Sequence, residues 1–339
     1  MLRLSTPGHE RFAQARQFDV TFGGGEANVA AGLAGFGLGS AFVTRLPANE
    51  IGDACLAFLR RFGVDVSAVI RGGERLGIYF LESGSSQRAS KVIYDRSGSS
   101  ISLIEPGMVP WAEVFRSAHW FHWTGITPAI APGPAAALSE AIAAARAAGI
   151  TVSCDLNYRG KLWKWGKKAG EVMESLVAGC DIAVGNEEDA ERVFGITAPR
   201  TDVAAGKISV EGYRTVGREL VRRFPRLRRV AFTLRGSLGA SHNLWSGALY
   251  SPAGDEFAAA REYSIAPIVD RVGGGDAFCA GLIYGLLQFG EERDGRRRAL
   301  EFATAASCLK HTIPGDFNLV SVREVEDLIE GGGSGRISR

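Results

Sequence analysis

The sequence predicts a doubly wound α/β fold: a mostly parallel sheet flanked by helices, with a small β-clasp as its lid. Three observations carry that expectation. From about residue 40, short β-branched or aromatic runs alternate with longer stretches of helical periodicity, the pattern of βαβ units. Two stretches, Arg11–Phe22 and Leu76–Arg96, break the rhythm with extended segments and no helix of useful length. Glycine is in excess, 44 of 339 residues, or about 13% against a usual share of about 7%, and it shows no collagen-like period.

In chain order, Ala41–Leu46 reads as a strand and Gly52–Phe62 as an amphipathic helix with apolar residues near i, i+3 and i+4. Further strands are expected at Trp120–Trp123, Thr151–Asp155, Ile182–Val184 and Val230–Leu234, and helices at Ala135–Ala148, Glu171–Ala178, Glu187–Phe194 and Val216–Phe224. In the two interrupting stretches, consecutive strands without crossovers must pair antiparallel. They form the expected lid, bounded at about 1–22 and 70–98, within a single domain of 1–339. An exposed edge of such a sheet invites pairing, so a second subunit is expected to cover it, making a homo-oligomer through the clasp. The glycine-rich end, 331–339, is expected to be a flexible tail.

The totals mostly exclude. A net charge of +2 provides no field that implies nucleic acid or an anionic membrane as partner. Five cysteines with no C-x-x-C fit a reducing compartment, and the N-terminus lacks an apolar signal core, so the expected location is cytoplasmic.

The clearest chemical signal is Ile268-Val-Asp-Arg-Val-Gly-Gly-Gly-Asp276 running into an apolar helix. Gly273, Gly274 and Gly275 would aim backbone N–H groups and the positive end of the helix dipole at one point, an anion site. Asp276 there is either a general base for phosphoryl transfer or a helix-capping acid. Gly23-Gly24-Gly25-Glu26-Ala27-Asn28 also leads into a helix. It would let a small ligand lie against backbone, with Asn28 offering donor and acceptor to sugar hydroxyls, or it is an ordinary turn. A dinucleotide fingerprint fails at Asn28, and no Walker A is present, since Gly166-Lys167 is followed by Lys168. Asp155, Asn157 and Arg159 follow a strand, where open α/β sheets bind ligands. Asn186-Glu187-Glu188-Asp189 either holds Mg²⁺ through water or complements a helix dipole. Tyr94-Asp95-Arg96 pairs an aromatic with a cation, which suits an anionic sugar. His119 and His122 have metal-like spacing but no acidic or cysteine partner nearby, and read as packed on a strand.

Gly23-Gly24-x-x-x-Asn28 near the start and Asp270-x-x-Gly-x-Gly-Asp276-x-Phe near the end, in that order and separation, resemble the two signatures of the ribokinase-like (PfkB) carbohydrate kinases. Within that family the chain is most similar to the 2-keto-3-deoxygluconate kinases, through Tyr79, Val92–Arg96, Phe121–Pro128, Asp155–Arg159 and Lys310–Asp316. The resemblance implies ATP and Mg²⁺ as cosubstrates and transfer of the γ-phosphoryl to the C6 hydroxyl, giving 2-keto-3-deoxy-6-phosphogluconate. It makes Asp276 the base and Gly273 to Gly275 the anion hole. Gly24, Asn28, Tyr79, Tyr94, Arg96, Arg159 and Asp316 would contact the sugar acid, with Arg96 and Arg159 facing its carboxylate. Asn186, Thr233, Arg235, Gly236 and Gly239 would serve the nucleotide, Glu187 and Asp189 the Mg²⁺ through water, and Asp270 a monovalent cation such as K⁺. A neutral-sugar kinase of the ribokinase or fructokinase type, or a catalytically weak sugar-sensing relative, is the alternative.

The chain departs from the family's pattern in three places. Gly274 stands where alanine is usual, which predicts a less preorganised loop. Asp189 stands where glutamate is common. Family members also open with a buried strand ahead of the segment matching Met1–Ser5, so the large sheet is expected to lack its first core strand, and Met1 to be an internal methionine taken as the start.

Overall fold

The computed structural model describes residues 1–197 and 210–331; most of the expected flexible tail lies outside them. Among the described residues thirteen strands form three sheets: β1 Leu2–Ser5, β2 Asp19–Phe22, β3 Arg45–Leu46, β4 Ile70–Arg71, β5 Ile78–Glu82, β6 Lys91–Asp95, β7 Trp120–Thr124, β8 Thr151–Asp155, β9 Ile182–Gly185, β10 Arg229–Gly239, β11 His242–Ser251, β12 Glu256–Ala259 and β13 Tyr263–Ile265. The large sheet runs β12-β11-β10-β9-β8-β7, with β13 on β11. From β7 to β10 it is parallel, as the βαβ rhythm predicts, and β10, β11 and β12 then turn it antiparallel.

Period-2 alternation distributes the strands' side chains between two apolar layers. Val230, Phe232 and Leu234 join Val152 and Cys154 under the helices Pro132–Ala147, Ala169–Val177, Glu187–Phe194 and Val210–Arg223. Ala231, Ile182 and Val184 point the other way, against Gly274–Phe289, Arg293–Lys310 and Val322–Ile329. The helices fall where periodicity places them, to within a few residues at most ends. The Glu50–Arg61 helix, for example, is capped by the Asn49 side chain, which accepts from the Gly52 N–H.

The clasp is a four-stranded sheet, β2-β1-β5-β6. Of the stretch expected to be extended from Arg11, only Asp19–Phe22 is strand. β1 lies between β2 and β5, parallel to β5, and belongs to the clasp and not to the large sheet. Among the described residues no strand pairs with the outer edge of β7, and β3 and β4 stand apart as a parallel pair. The expected strand Ala41–Leu46 shrinks to Arg45–Leu46 plus a bridge from Ala41 to Asp65. Among the described residues no helix is long and apolar enough to cross a membrane.

Candidate active site

Both glycine clusters open onto one cavity of about 540 Å³, between the clasp and the ends of the parallel strands. At its centre the helix Gly274–Phe289 begins, and Gly273 precedes it at φ +84°, a left-handed conformation that only glycine adopts without strain. A Cβ there would lie 2.0 Å from the Asp316 carbonyl oxygen. The N–H groups of Gly275 and Asp276 have no acceptor among the described residues, and space around Gly275 is open. Two free donors at a helix N-terminus are the geometry that an anion site requires. A Cβ at Gly274 would meet the His311 ring at 2.7 Å, so this glycine lets the helix start pack against that ring.

Asp276 sits in the first turn, buried, and burial pushes its carboxyl up to about 7. The Asn28 amide opposes this by donating to Asp276 Oδ2 at 2.7 Å, while Asp316 and Glu26 add to it. Asn28 Oδ1 in turn accepts from the Gly24 N–H at 3.1 Å. Its position is therefore more specific than an exposed sugar ligand: it anchors the acid.

The clasp supplies the roof. Tyr79 on β5 and Tyr94 on β6 are directly paired and face the cavity. The Tyr79 hydroxyl lies 2.6 Å from both oxygens of Asp316 and stays protonated, its pKa raised by burial and by that carboxylate. Arg96, just past β6, lays its guanidinium over the Tyr94 ring, 5.0 Å from the centroid, and touches the Met1 sulfur. Its Nε and Nη1 are buried with no acceptor among the described residues. Arg159 lies exposed on the cavity lining and donates to its neighbour's carbonyl.

Toward the far end Thr233 and Arg235 line the cavity with Asn186, and so do Asn243, Trp245, Arg271 and His311, which sequence reasoning missed. Arg235 Nε, Asn243 Oδ1 and Trp245 Nε1 are buried without partners. Gly236 and Gly239 are not brought to the cavity. Gly236 pairs with Leu244 within the sheet, and Gly239 packs at the clasp loop, 3.0 Å from the Ser86 carbonyl oxygen at the position of an added Cβ.

Of the expected metal ligands, Asp189 also has a local role in the structure. Asp189 accepts from the Tyr158 N–H at 2.8 Å with one oxygen and from the Asn186 N–H at 3.0 Å with the other, the second half of a capping box with Asn186. Its carboxylate serves the loop, and the Glu187 side chain lies outside what is described. Asp155 is buried beside two further acids: burial, then the neighbouring Asp189 and Asp276, push its pKa well up. Among the described residues no group of three His, Cys, Asp or Glu forms a metal cage. His122 is neutral, held low by burial at about 4, with Nδ1 2.8 Å from Ser153 Oγ, as a packed histidine.

Asp270 does not fit a bound monovalent ion. Oδ2 accepts from Arg3 at 2.5 Å and from the Gly315 N–H at 3.1 Å, and Oδ1 from the Val272 N–H at 3.0 Å. Arg3 also donates to Asp316 Oδ1 at 2.7 Å. Arg3 was invisible as a site residue because its partners lie 267 and 313 residues away. Its one sequence signal is an arginine alternating with Leu2 and Leu4.

The match to known proteins spans nearly the whole chain. Residues 4–319 match the model of the pfkB family carbohydrate kinases. The chain is 30% identical over 335 residues to a 2-dehydro-3-deoxygalactonokinase of Haloferax volcanii, covering 99% of this chain and 96% of that protein. It is 29% identical to a 2-dehydro-3-deoxygluconokinase of Thermoproteus tenax, covering 97% and 91%. Among solved structures, the 2-dehydro-3-deoxygluconokinase of Thermotoga maritima superposes with a TM-score of 0.90 at 44% identity, over 98% of this chain and 97% of that one.

Proposed function

Because the chain belongs to the pfkB family of carbohydrate kinases, we propose that it phosphorylates a 2-keto-3-deoxy sugar acid, 2-keto-3-deoxygluconate first, on its C6 hydroxyl. The observation that carries this reading is Arg96: a buried guanidinium with two unmatched nitrogens, in the same cavity as a buried acid at a helix N-terminus. Leaving donors unpaired is costly, and a planar carboxylate is the ligand that satisfies them. A neutral sugar would leave the charge stranded. Relatives named for the gluconate and galactonate acids, which differ in one hydroxyl's direction, support the class and leave the epimer to experiment.

The placements support the following course of reaction. Tyr79 and Tyr94 bound the sugar, Arg96 holds its carboxylate end, and Arg159 stands at the same end. Asp276 in its ionised form takes the proton of the C6 hydroxyl as that oxygen bonds to the γ-phosphorus of ATP and the bond to the ADP oxygen breaks. The N–H groups of the 273–276 turn stabilise the charge on the moving phosphoryl. Thr233, Arg235, Asn243 and Trp245 receive the nucleotide. Mg²⁺ would supply charge neutralisation for the transferring phosphoryl group, and Asp155 with Asp189 on the cavity lining would hold it through water.

The clasp's outer face supports assembly of two copies. Val20, Leu4, Phe80 and Ile93 stand in register across its four strands, with Val20 64% and Ile93 54% exposed. A row of this kind is the surface a second copy would cover.

A panel of sugar acids and neutral sugars assayed by ADP release tests the activity. Turnover of 2-keto-3-deoxygluconate well above ribose and fructose is expected. Faster turnover of the neutral sugars would refute the acid assignment.

A further inference from the structure

We propose that Lys310 is a built-in monovalent cation: its ammonium occupies the seat between the Asp270 loop and the 311–316 loop that a bound potassium ion would take, so the enzyme works without one.

Lys310 ends the helix Arg293–Lys310 and is 0% exposed. Its Nζ donates to two backbone carbonyls, Asp270 O and Ile313 O, each at 3.2 Å. Among the described residues it makes no direct ion pair. A cation held by main-chain carbonyls from two loops, with carboxylates only in the next layer, is the coordination chemistry of a weakly hydrated monovalent ion. Here a side chain supplies the charge.

Electrostatics agrees. The local carboxylates Asp270 and Asp316 are already matched by two cations, Arg3 and Lys310. Burial lowers the Lys310 pKa, and the attraction of those two carboxylates offsets that only in part. A further positive ion would face two buried like charges and find the Asp270 oxygens already taken by Arg3 and two N–H groups.

The seat matters because of what its walls carry. Val269 and Asp270 donate their N–H groups to His311 O, and the Asp270 loop leads directly into Gly273 and the anion-binding turn. The 311–316 loop carries Asp316, which Tyr79 and Arg3 hold. Lys310 thus acts as a positioning residue for both halves of the site.

Two readouts test this, ADP release and the melting temperature of the full chain, each in potassium chloride and in choline chloride at equal ionic strength. The wild type is expected to show the same rate and melting temperature in both. A rise of either in potassium overturns the proposal, and this comparison needs no variant. Melting stands apart from activity, so failure of the sugar-acid reading would leave it decisive. Lys310→Ala opens the seat: in choline it is expected to lose roughly tenfold in rate and to melt lower, and potassium or ammonium is expected to restore both. Lys310→Met fills the same volume without charge and is expected to lose rate without potassium rescue. Full activity of Lys310→Ala in choline, or equal recovery with any added salt, would overturn the assignment.

Discussion

Asn28 and Asp276, 248 residues apart, are joined by a 2.7 Å hydrogen bond that ties the first glycine cluster to the second. The Gly24 N–H fixes the other end of the same amide. The acid's direction is therefore set from the start of the opposite helix, and its proton affinity is set by burial.

Replacing Asp276 by Asn should lower kcat by about 10²–10⁴-fold, the usual worth of a positioned base, with substrate binding retained. Single-turnover ADP formation alongside sugar-acid binding by calorimetry checks it. A kcat within tenfold of wild type would remove Asp276 from the role of base.

The pKa of about 7 at Asp276 predicts a pH profile in which kcat/KM of the wild type climbs as pH passes through about 7 and then levels, because the base must be ionised. Stability should move the opposite way. The folded state holds this proton more tightly than the unfolded chain, so ionising the group between pH about 4 and about 7 weakens folding. Asp276→Asn removes that penalty and should stabilise the protein above neutral pH, on the order of 4 kcal/mol, while gaining little near pH 4. Melting curves across that range read it directly.

Arg96→Ala should raise KM for the keto-deoxy acid roughly tenfold to a hundredfold, the loss of one charge-assisted pairing. Turnover of any neutral sugar should be unaffected. Steady-state kinetics with both substrates separates this from general damage to the site.

Arg3→Met should destabilise by about 3–5 kcal/mol, because Asp270 and Asp316 are left buried with one counter-charge fewer. Urea unfolding measures it. Substituting Asp270 by Asn in the same chain should recover part of the loss, since one of the stranded charges disappears.

Ile93→Glu and Val20→Glu should dissociate an assembly built through the clasp's outer face and leave kcat of the remaining species near that of wild type. Sedimentation velocity decides it: a wild-type chain that is monomeric at working concentrations would refute the assembly.

The parallel half of the fold was legible because each β-branched run is followed by a helical period of ordinary length. The antiparallel half was not. β11 is buried along nearly its whole length, so it lacks the polar alternation that marks a strand, and β10 runs five residues past the Leu234 that ended its apolar run. Within the site, the residues on the glycine turns and strand ends were readable, since backbone chemistry confines them to few types. Those that act through distant pairing were not: Arg3, Lys310 and the nucleotide-end Trp245 carry no local signal of their partners. Asp189 shows one spacing carrying two readings: the Asn-x-x-acid pattern that suggests a metal ligand is also that of the capping box it forms.

The clasp strands are two-sided. Arg3, Tyr79 and Tyr94 line the inner face, one register step from Leu4, Phe80 and Ile93 on the outer. A pleated sheet cannot shift one face without carrying the other. A neighbour that grips the outer row only when the roof is down must raise the enzyme's grip on its sugar, and bound sugar must tighten the hold of that neighbour by the same factor. Crowding and substrate supply would then be sensed by one piece of backbone.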